Sequence, residues 1–557
     1  MRYCLILLLI LIFFPIATFA AESNNKFGIH LAQPHLEELL KIKEMVNSNG
    51  GDWGYVTLVM QENDRDKNKW QEIFDKLREN HLIPIIRLAT KPEGENWRRP
   101  EKQDADGWVN FLNSLNWVVK NRYVILFNEP NHGSEWGGEA DPKNYGEVAL
   151  VFAEKLKAKD KDFFIMLAGL DASAPSNFPY TEDEEIFLKS TINNQPSIIK
   201  FIDGISSHSY PNPGFSGSPY DTGRKSIRGY LWEIDLFRQL TGKNLPVFIT
   251  ETGWVRVQNF EQDKIAQNFQ TAFSEVWGPD DRVKAVTPFV FDYQGQPFLD
   301  FSWKKYQSQD FYPQYYLIKS LAKIKGSPEQ IEKGELKFDF PKQLVVESNF
   351  HFSIEIKNNG QSILDKDQGY VLKLENYPEE KYLFSDLKEV KPFEEVTIDL
   401  YLKTNGNQGK KQTRVAVYKN GNKIAQGEDW NFEILPLPQL NFTVGLYPKL
   451  KVKDDDFEIQ VFSDKEELVY KRKGVKINDG KGKIDAVQNI ALGKKYRVVI
   501  LKQYYLPRQE IIVLNRGENK VNFKPMYPFD FNKDGKFSWE DLPALMKNPR
   551  LFSLLFP

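Results

Sequence analysis

Between Lys26 and Gly326 apolar runs alternate eight times with stretches whose apolar residues recur at helical spacing. The runs are FGIHLA from Phe27, GYVTLVM from Gly54, IPIIRLA from Ile83, YVILFNEP from Tyr123, FFIMLAGLD from Phe163, FIDGISSHSY from Phe201, VFITETGW from Val247 and VKAVTPFVFDYQ from Val283. Strands apolar along most of their length belong to a sheet covered on both faces. Eight strand–helix units in roughly 300 residues predict an α/β fold of the (β/α)8 TIM-barrel type, whose functional groups sit at the C-terminal strand ends. An open doubly wound sheet is the alternative, and no glycine-rich dinucleotide or phosphate loop supports it.

Two of the runs end alike. The fourth stops at Asn128, Glu129 and Pro130, where proline has no N–H for the ladder; the seventh stops at Thr250, Glu251 and Thr252. A carboxylate at the mouth of an apolar strand is costly to bury without a partner or a purpose. The other runs also end in polar residues: His30, Gln61, Arg87, Asp171, His208, Tyr210, Asp292 and Tyr293. Mere salt-bridge partners at the barrel mouth are the bland account of Glu129 and Glu251. No HExxH or clustered His/Asp set points to a catalytic metal, so no cofactor is expected for catalysis.

The motifs NEP (Asn128 to Pro130) and TETGW (Thr250 to Trp254), at strands four and seven, resemble clan A of the glycoside hydrolases over residues 26–326. The resemblance implies a retaining β-glycosidase acting on a β-linked poly- or oligosaccharide. Glu129 would be the general acid/base and Glu251 the nucleophile, with their carboxyl groups about 5–5.5 Å apart. Asn128 is similar to the clan residue that bonds the sugar 2-hydroxyl. Tyr210 matches an aromatic beside the nucleophile, with His208 on the same face. Arg87 resembles an arginine that keeps the nucleophile ionised. For His208, Tyr210 and Arg87 a structural role competes evenly. Trp97, Trp136, Trp254 and Trp303 are candidates for stacking on sugar rings, Trp254 foremost because it follows Glu251 so closely. His132, Glu135 and Glu139 lie in the loop after strand four, where they would shape subsites. A catalytically silent carbohydrate-binding or adhesion protein on the same barrel is the alternative function. A transglycosylase would share every one of these residues.

Beyond Gly326 the apolar period becomes two, with Asn-Gly and Gly-Asn pairs marking hairpins. Residues 335–437 read as an immunoglobulin-like β-sandwich, and 440–525 as a second small β-sandwich resembling transthyretin-like modules. In 526–557 the run DFNKDGKFSWED puts Asp530, Asn532, Asp534 and Asp541 at positions 1, 3, 5 and 12 of a calcium loop, with Gly535 at the turn. Aspartate at the last position resembles dockerin modules, which carry two such loops where this chain has one. A polar Asx/Gly turn is the alternative.

Arg2 and the apolar run that follows it, ending in small residues, predict a signal peptide over 1–20, cleaved after Ala20. The chain is then secreted or at the cell surface; an uncleaved anchor is the rival. Cys4 is the one cysteine, so the mature chain has no disulfide. A net charge of −2, from 74 basic and 76 acidic residues, argues against nucleic acid as a partner. No second span of membrane length follows. A carbohydrate substrate is expected, and a protein or cell-surface partner through the C-terminal modules is left open.

Overall fold

The computed structural model describes residues 24–256, 262–406, 408–448 and 453–555, so the predicted signal peptide lies outside the described residues. No described helix is long and apolar enough to cross a membrane. The chain forms two compact units, 1–331 and 332–557.

The first unit has eight parallel strands: β1 (Gly28–Leu31), β2 (Gly54–Gln61), β3 (Leu82–Ala89), β4 (Arg122–Leu126), β5 (Phe163–Leu167), β6 (Ile205–His208), β7 (Val247–Glu251) and β8 (Val283–Val286). β1 to β5 make one five-stranded arc and β6 to β8 a three-stranded one. Single parallel bridges, Met166 to Gly204 and Phe27 to Val286, join the arcs at both seams and close the ring. Closure excludes the open doubly wound sheet. Strands six and eight are shorter than their apolar runs, because chain turns begin within them.

Helices α1 (Leu39–Val46), α2 (Lys67–Glu79), α3 (Asp104–Asn113), α4 (Pro142–Lys159), α5 (Glu184–Asn194), α6 (Gly229–Thr241), α7 (Gln262–Thr271) and α8 (Pro313–Ser320) alternate with the strands. Their starts are written locally. Asp66, Asp141 and Asp183 each accept two backbone N–H groups of the first turn, and Pro142 supplies the preset φ that a first helical position favours. Gly242 ends α6 with a φ of 72°.

Side chains fill the barrel in tiers. At the N-terminal end Tyr55, Tyr123, Phe164 and Phe248 meet with ring centroids 5.0–6.3 Å apart. Above them lies a tier of small hydroxyls, with Thr57 bonded to Thr287 at 2.8 Å and Ser206 to Thr250 at 2.7 Å. The next tier, at the C-terminal strand ends, carries His30, Arg87, His208 and Glu251.

In the second unit, strands from 334 to 435 form two four-stranded sheets, a sandwich. Burial alternates along Asn349–Asn358, as period two requires. Asn420 and Gly421, with φ of 48° and 86°, make the two-residue turn between Gly409–Lys419 and Asn422–Leu435. The strands from 439 to 522 differ from the expected pair of sheets. They hydrogen-bond edge to edge in one seven-stranded sheet, because Gln439–Thr443 pairs with both Lys481–Ile484 and Glu518–Asn522. One contiguous apolar core runs from Leu336 to Met526 through both regions. The 530–541 loop leads into helix α9 (Asp541–Lys547) but follows a strand, so it has one flanking helix where an EF-hand has two.

Candidate active site

β4 ends in a sharp bend. Phe127 and Glu129 have φ of 74° and 29°, a region non-glycine residues seldom occupy. Bonds on every side hold the bend. Glu129 N–H donates to Gly169 O at 3.2 Å, and His132 N–H to Glu129 O at 2.8 Å. Fully buried Asn131 donates to the carbonyls of Asp171 and Glu182 and accepts from Asp171 N–H. The result aims Glu129 into the barrel mouth.

There a carboxylate oxygen of Glu129, one of Glu251 and a ring nitrogen of His208 all lie within 4.8 Å of one another. His208 Nδ1 is 2.7 Å from Glu129 Oε1 and 3.9 Å from Glu251 Oε2. Arg87 Nη1 ion-pairs with Glu251 Oε1 and donates to Asn128 Oδ1 at 2.7 Å. Tyr210 Oη donates to Glu251 Oε2 at 3.0 Å. All six residues thus meet, three from each arc: Arg87, Asn128 and Glu129 from the first, and His208, Tyr210 and Glu251 from the second.

Burial alone would raise the Glu251 pKa, but His208 and Arg87 outweigh it and hold the carboxyl down at about 2. It is therefore ionised through the neutral range. Burial works against the imidazolium of His208, yet Glu251 and Glu129 raise its pKa overall. Burial and Arg87 depress His30 to about 3, so it stands 3.6 Å from Glu251 as a neutral ring. Burial and Glu251 hold Tyr210 well above the ordinary phenol, which keeps it a donor.

His208 bonds Glu129 rather than lying open for substrate. Trp254 does not line the cleft: it is 2% exposed, donates to Gly217 O at 2.8 Å and packs its ring on Phe269. The chain turns after Glu251, and the turn carries Trp254 into the core. Trp136 and Trp303 are likewise buried, whereas Trp97 is half-buried in a hairpin of residues 92–97. Aromatic surface comes instead from phenylalanines that no sequence signal marked. Phe215 and Phe298 are 37% and 39% exposed, and Phe215 contacts Tyr210 with centroids 5.0 Å apart. Gly169 was also missed. A Cβ there would lie 2.3 Å from His208 Cδ2, so the glycine makes room for the ring. Asp292 lies after β8, bonded at 2.9 Å to Lys304, which also reaches Glu38.

In the C-terminal loop Gly535, with a φ of 80°, donates its N–H to Asp530 Oδ2 at 3.2 Å. Asp530 Oδ1 is buried without a hydrogen-bond partner, and Asn532 and Asp534 border the same turn. A hard cation suits that donor set. Asp541 Oδ1 already accepts backbone N–H groups from Phe531 and Asn532, and Oδ2 accepts one from Ser538, so a lone pair is left on Oδ2 alone.

No family model matches the chain, and no curated protein does. Among solved structures it is similar to a GH39 β-xylosidase from Caulobacter crescentus, at TM-score 0.39 and 14% identity, covering 69% of this chain and 98% of that one. It is similar to an endo-β-1,4-glucanase from Xanthomonas axonopodis pv. citri, at TM-score 0.36 and 13% identity, covering 53% and 98%. A third is a glucosidase from Croceicoccus marinus, at TM-score 0.39 and 10% identity, covering 84% and 94%. All three TM-scores fall below 0.5, and the functional reading rests on this chain's own residues.

Proposed function

We propose that the chain is a retaining glycosidase cleaving a β-linked carbohydrate by double displacement. The observation that carries this reading is the approach of Glu129 and Glu251 to within 4.8 Å, oxygen to oxygen, with one carboxyl held strongly acidic. That spacing suits the retaining route and leaves no room for the water an inverting enzyme places between its carboxyls.

Ionised Glu251 attacks the anomeric carbon while the leaving oxygen takes a proton from Glu129. The proton is held by the Glu129–His208 pair, whose 2.7 Å bond lets the two groups act as one donor. Once Glu251 is esterified its charge is gone, and the same pair accepts a proton from the incoming water. Arg87 and Tyr210 keep Glu251 oriented between attacks, and Asn128 presents an amide N–H to the sugar.

The chain is exported, on the strength of its N-terminal run. A calcium ion would be held by Asp530, Asn532, Asp534 and Asp541, and would serve the fold rather than the chemistry.

The test is a screen of the mature chain against glucans, xylans, mannans and galactans, with Glu251→Gln as control. Turnover with retained anomeric configuration, abolished in the variant, is expected. Inverted product, or a Glu251→Gln variant as active as the parent, would refute the mechanism.

A further inference from the structure

We propose that Glu135 is a positioning residue for Asn128, fixing the amide so that one of its two N–H bonds is left for the substrate. This rests on the glycosidase reading and adds a residue to it. Asn128 Nδ2 donates to Glu135 Oε2 at 3.2 Å, while Asn128 Oδ1 accepts from Arg87. The amide is therefore gripped at both ends, and Glu251, Arg87, Asn128 and Glu135 form one continuous chain of contacts. An amide nitrogen carries two hydrogens, and this chain uses one.

Glu135 is itself held firmly. It ends a one-turn 3-10 helix, Gly133–Glu135, on the loop that also carries Glu129. Gly133 N–H donates to Tyr180 O and Gly138 N–H to Gly133 O, both at 2.7 Å. A Cβ on Gly133 would lie 2.8 Å from Pro179 O, so the loop is packed as tightly as backbone allows. The charged groups that face Glu135 are Glu129 and His132 on its own loop, Arg87 from β3 and Glu251 from β7. From the neighbouring segment, Arg99 is engaged with Glu139 and the Trp136 carbonyl.

Burial, then Glu129, push the Glu135 carboxyl up to about 7, against the pull of Arg87 and Asn128. Below that pH it is a neutral acid; above it a further negative charge enters the site. The grip on Asn128 should then change within the working range of the enzyme, a signature that a purely structural glutamate lacks.

The first arm of the test needs no substrate. In protein labelled with 15N-asparagine, the side-chain signal of Asn128 is identified by its loss in Asn128→Ala. It should shift with a midpoint near pH 7, and the shift should vanish in Glu135→Gln. The second arm uses 2,4-dinitrophenyl β-glycosides of glucose, xylose, mannose and galactose. Glu135→Ala should lower kcat and kcat/KM together by about 10-fold, the mark of an interaction made in the transition state. Glu135→Gln, which still accepts the Asn128 N–H, should recover most of that loss and lack the alkaline step near pH 7. An Asn128 signal flat with pH in the parent, or one that still titrates in Glu135→Gln, overturns the proposal. So does wild-type kcat in Glu135→Ala. If this panel and the glucan, xylan, mannan and galactan screen are all inert in the parent while the Glu135-dependent titration is present, the glycosidase reading sinks and the coupling stands.

Discussion

Gly169→Ala tests the local geometry of the site without any knowledge of the substrate. The added Cβ would lie 2.3 and 2.5 Å from His208 Cδ2 and Nε2, whereas ordinary contact begins near 3.4 Å. The ring must therefore withdraw by roughly 1 Å, which breaks a 2.7 Å bond to Glu129. Overpacking of this kind costs about 1–3 kcal/mol. The lost hydrogen bond to a charged partner adds about 1.5–3 kcal/mol. The expected outcome is a lower melting point for the barrel and a large loss of turnover. The decisive assay is a double-mutant cycle with His208→Ala, followed by calorimetry. If the clash is with the His208 ring, removing the ring removes the penalty, and the two changes couple by more than about 1 kcal/mol. Additivity within about 0.5 kcal/mol would show that the glycine serves something other than His208.

Three further outcomes follow from the charges. Arg87→Met removes one of the cations that hold Glu251 near 2. The acid limb of kcat/KM should then move up by about 1–3 pH units, and an unmoved limb would exonerate Arg87. Buried Glu184 of α5 and Glu233 of α6 lie close enough to interact, and burial raises both pKa values in the fold. The stability they contribute is complete below the ordinary carboxyl value of 4.5 and is lost as pH rises through the raised folded values. Glu233→Gln should flatten the fall of melting temperature as pH rises above the ordinary carboxyl value; a constant offset from the parent would count against the pair. Calcium chloride should raise the melting temperature of the second unit relative to EDTA, with Asp530→Ala abolishing the difference, and equal melting in both would argue for a plain turn.

Much of the barrel was legible because each strand is buried on both faces and so reads as an apolar block. Glu129 and Glu251 stood out for the same reason, as charges at the ends of such blocks. Period two placed His208 and Tyr210 on one face. It carried no information on partners, and only the folded ring pairs His208 with Glu129 and Tyr210 with Glu251. Trp254 was misjudged because nearness in sequence to Glu251 says nothing of side-chain direction once the strand has ended. The spacing of Gly169 to His208 arises between loops from different parts of the chain, which no local pattern encodes, and that of Glu135 to Asn128 depends on how the 128–135 loop folds back on itself. In the second unit, alternation disclosed the strands. The single seven-stranded sheet depends on which edges meet, and alternation is silent on that.

At each seam the two strand arcs are joined by a single β-bridge and a few further backbone hydrogen bonds, and the pairs His208–Glu129 and Arg87–Glu251 also span from one arc to the other. The same polar groups that we propose to carry the reaction are thus also fasteners between halves. Slight parting of the arcs would change the gap between the Glu129 and Glu251 carboxyls long before any helix is shed. Turnover should therefore fade on warming ahead of the loss of secondary structure, and a ligand wedged across the cleft should knit the halves together.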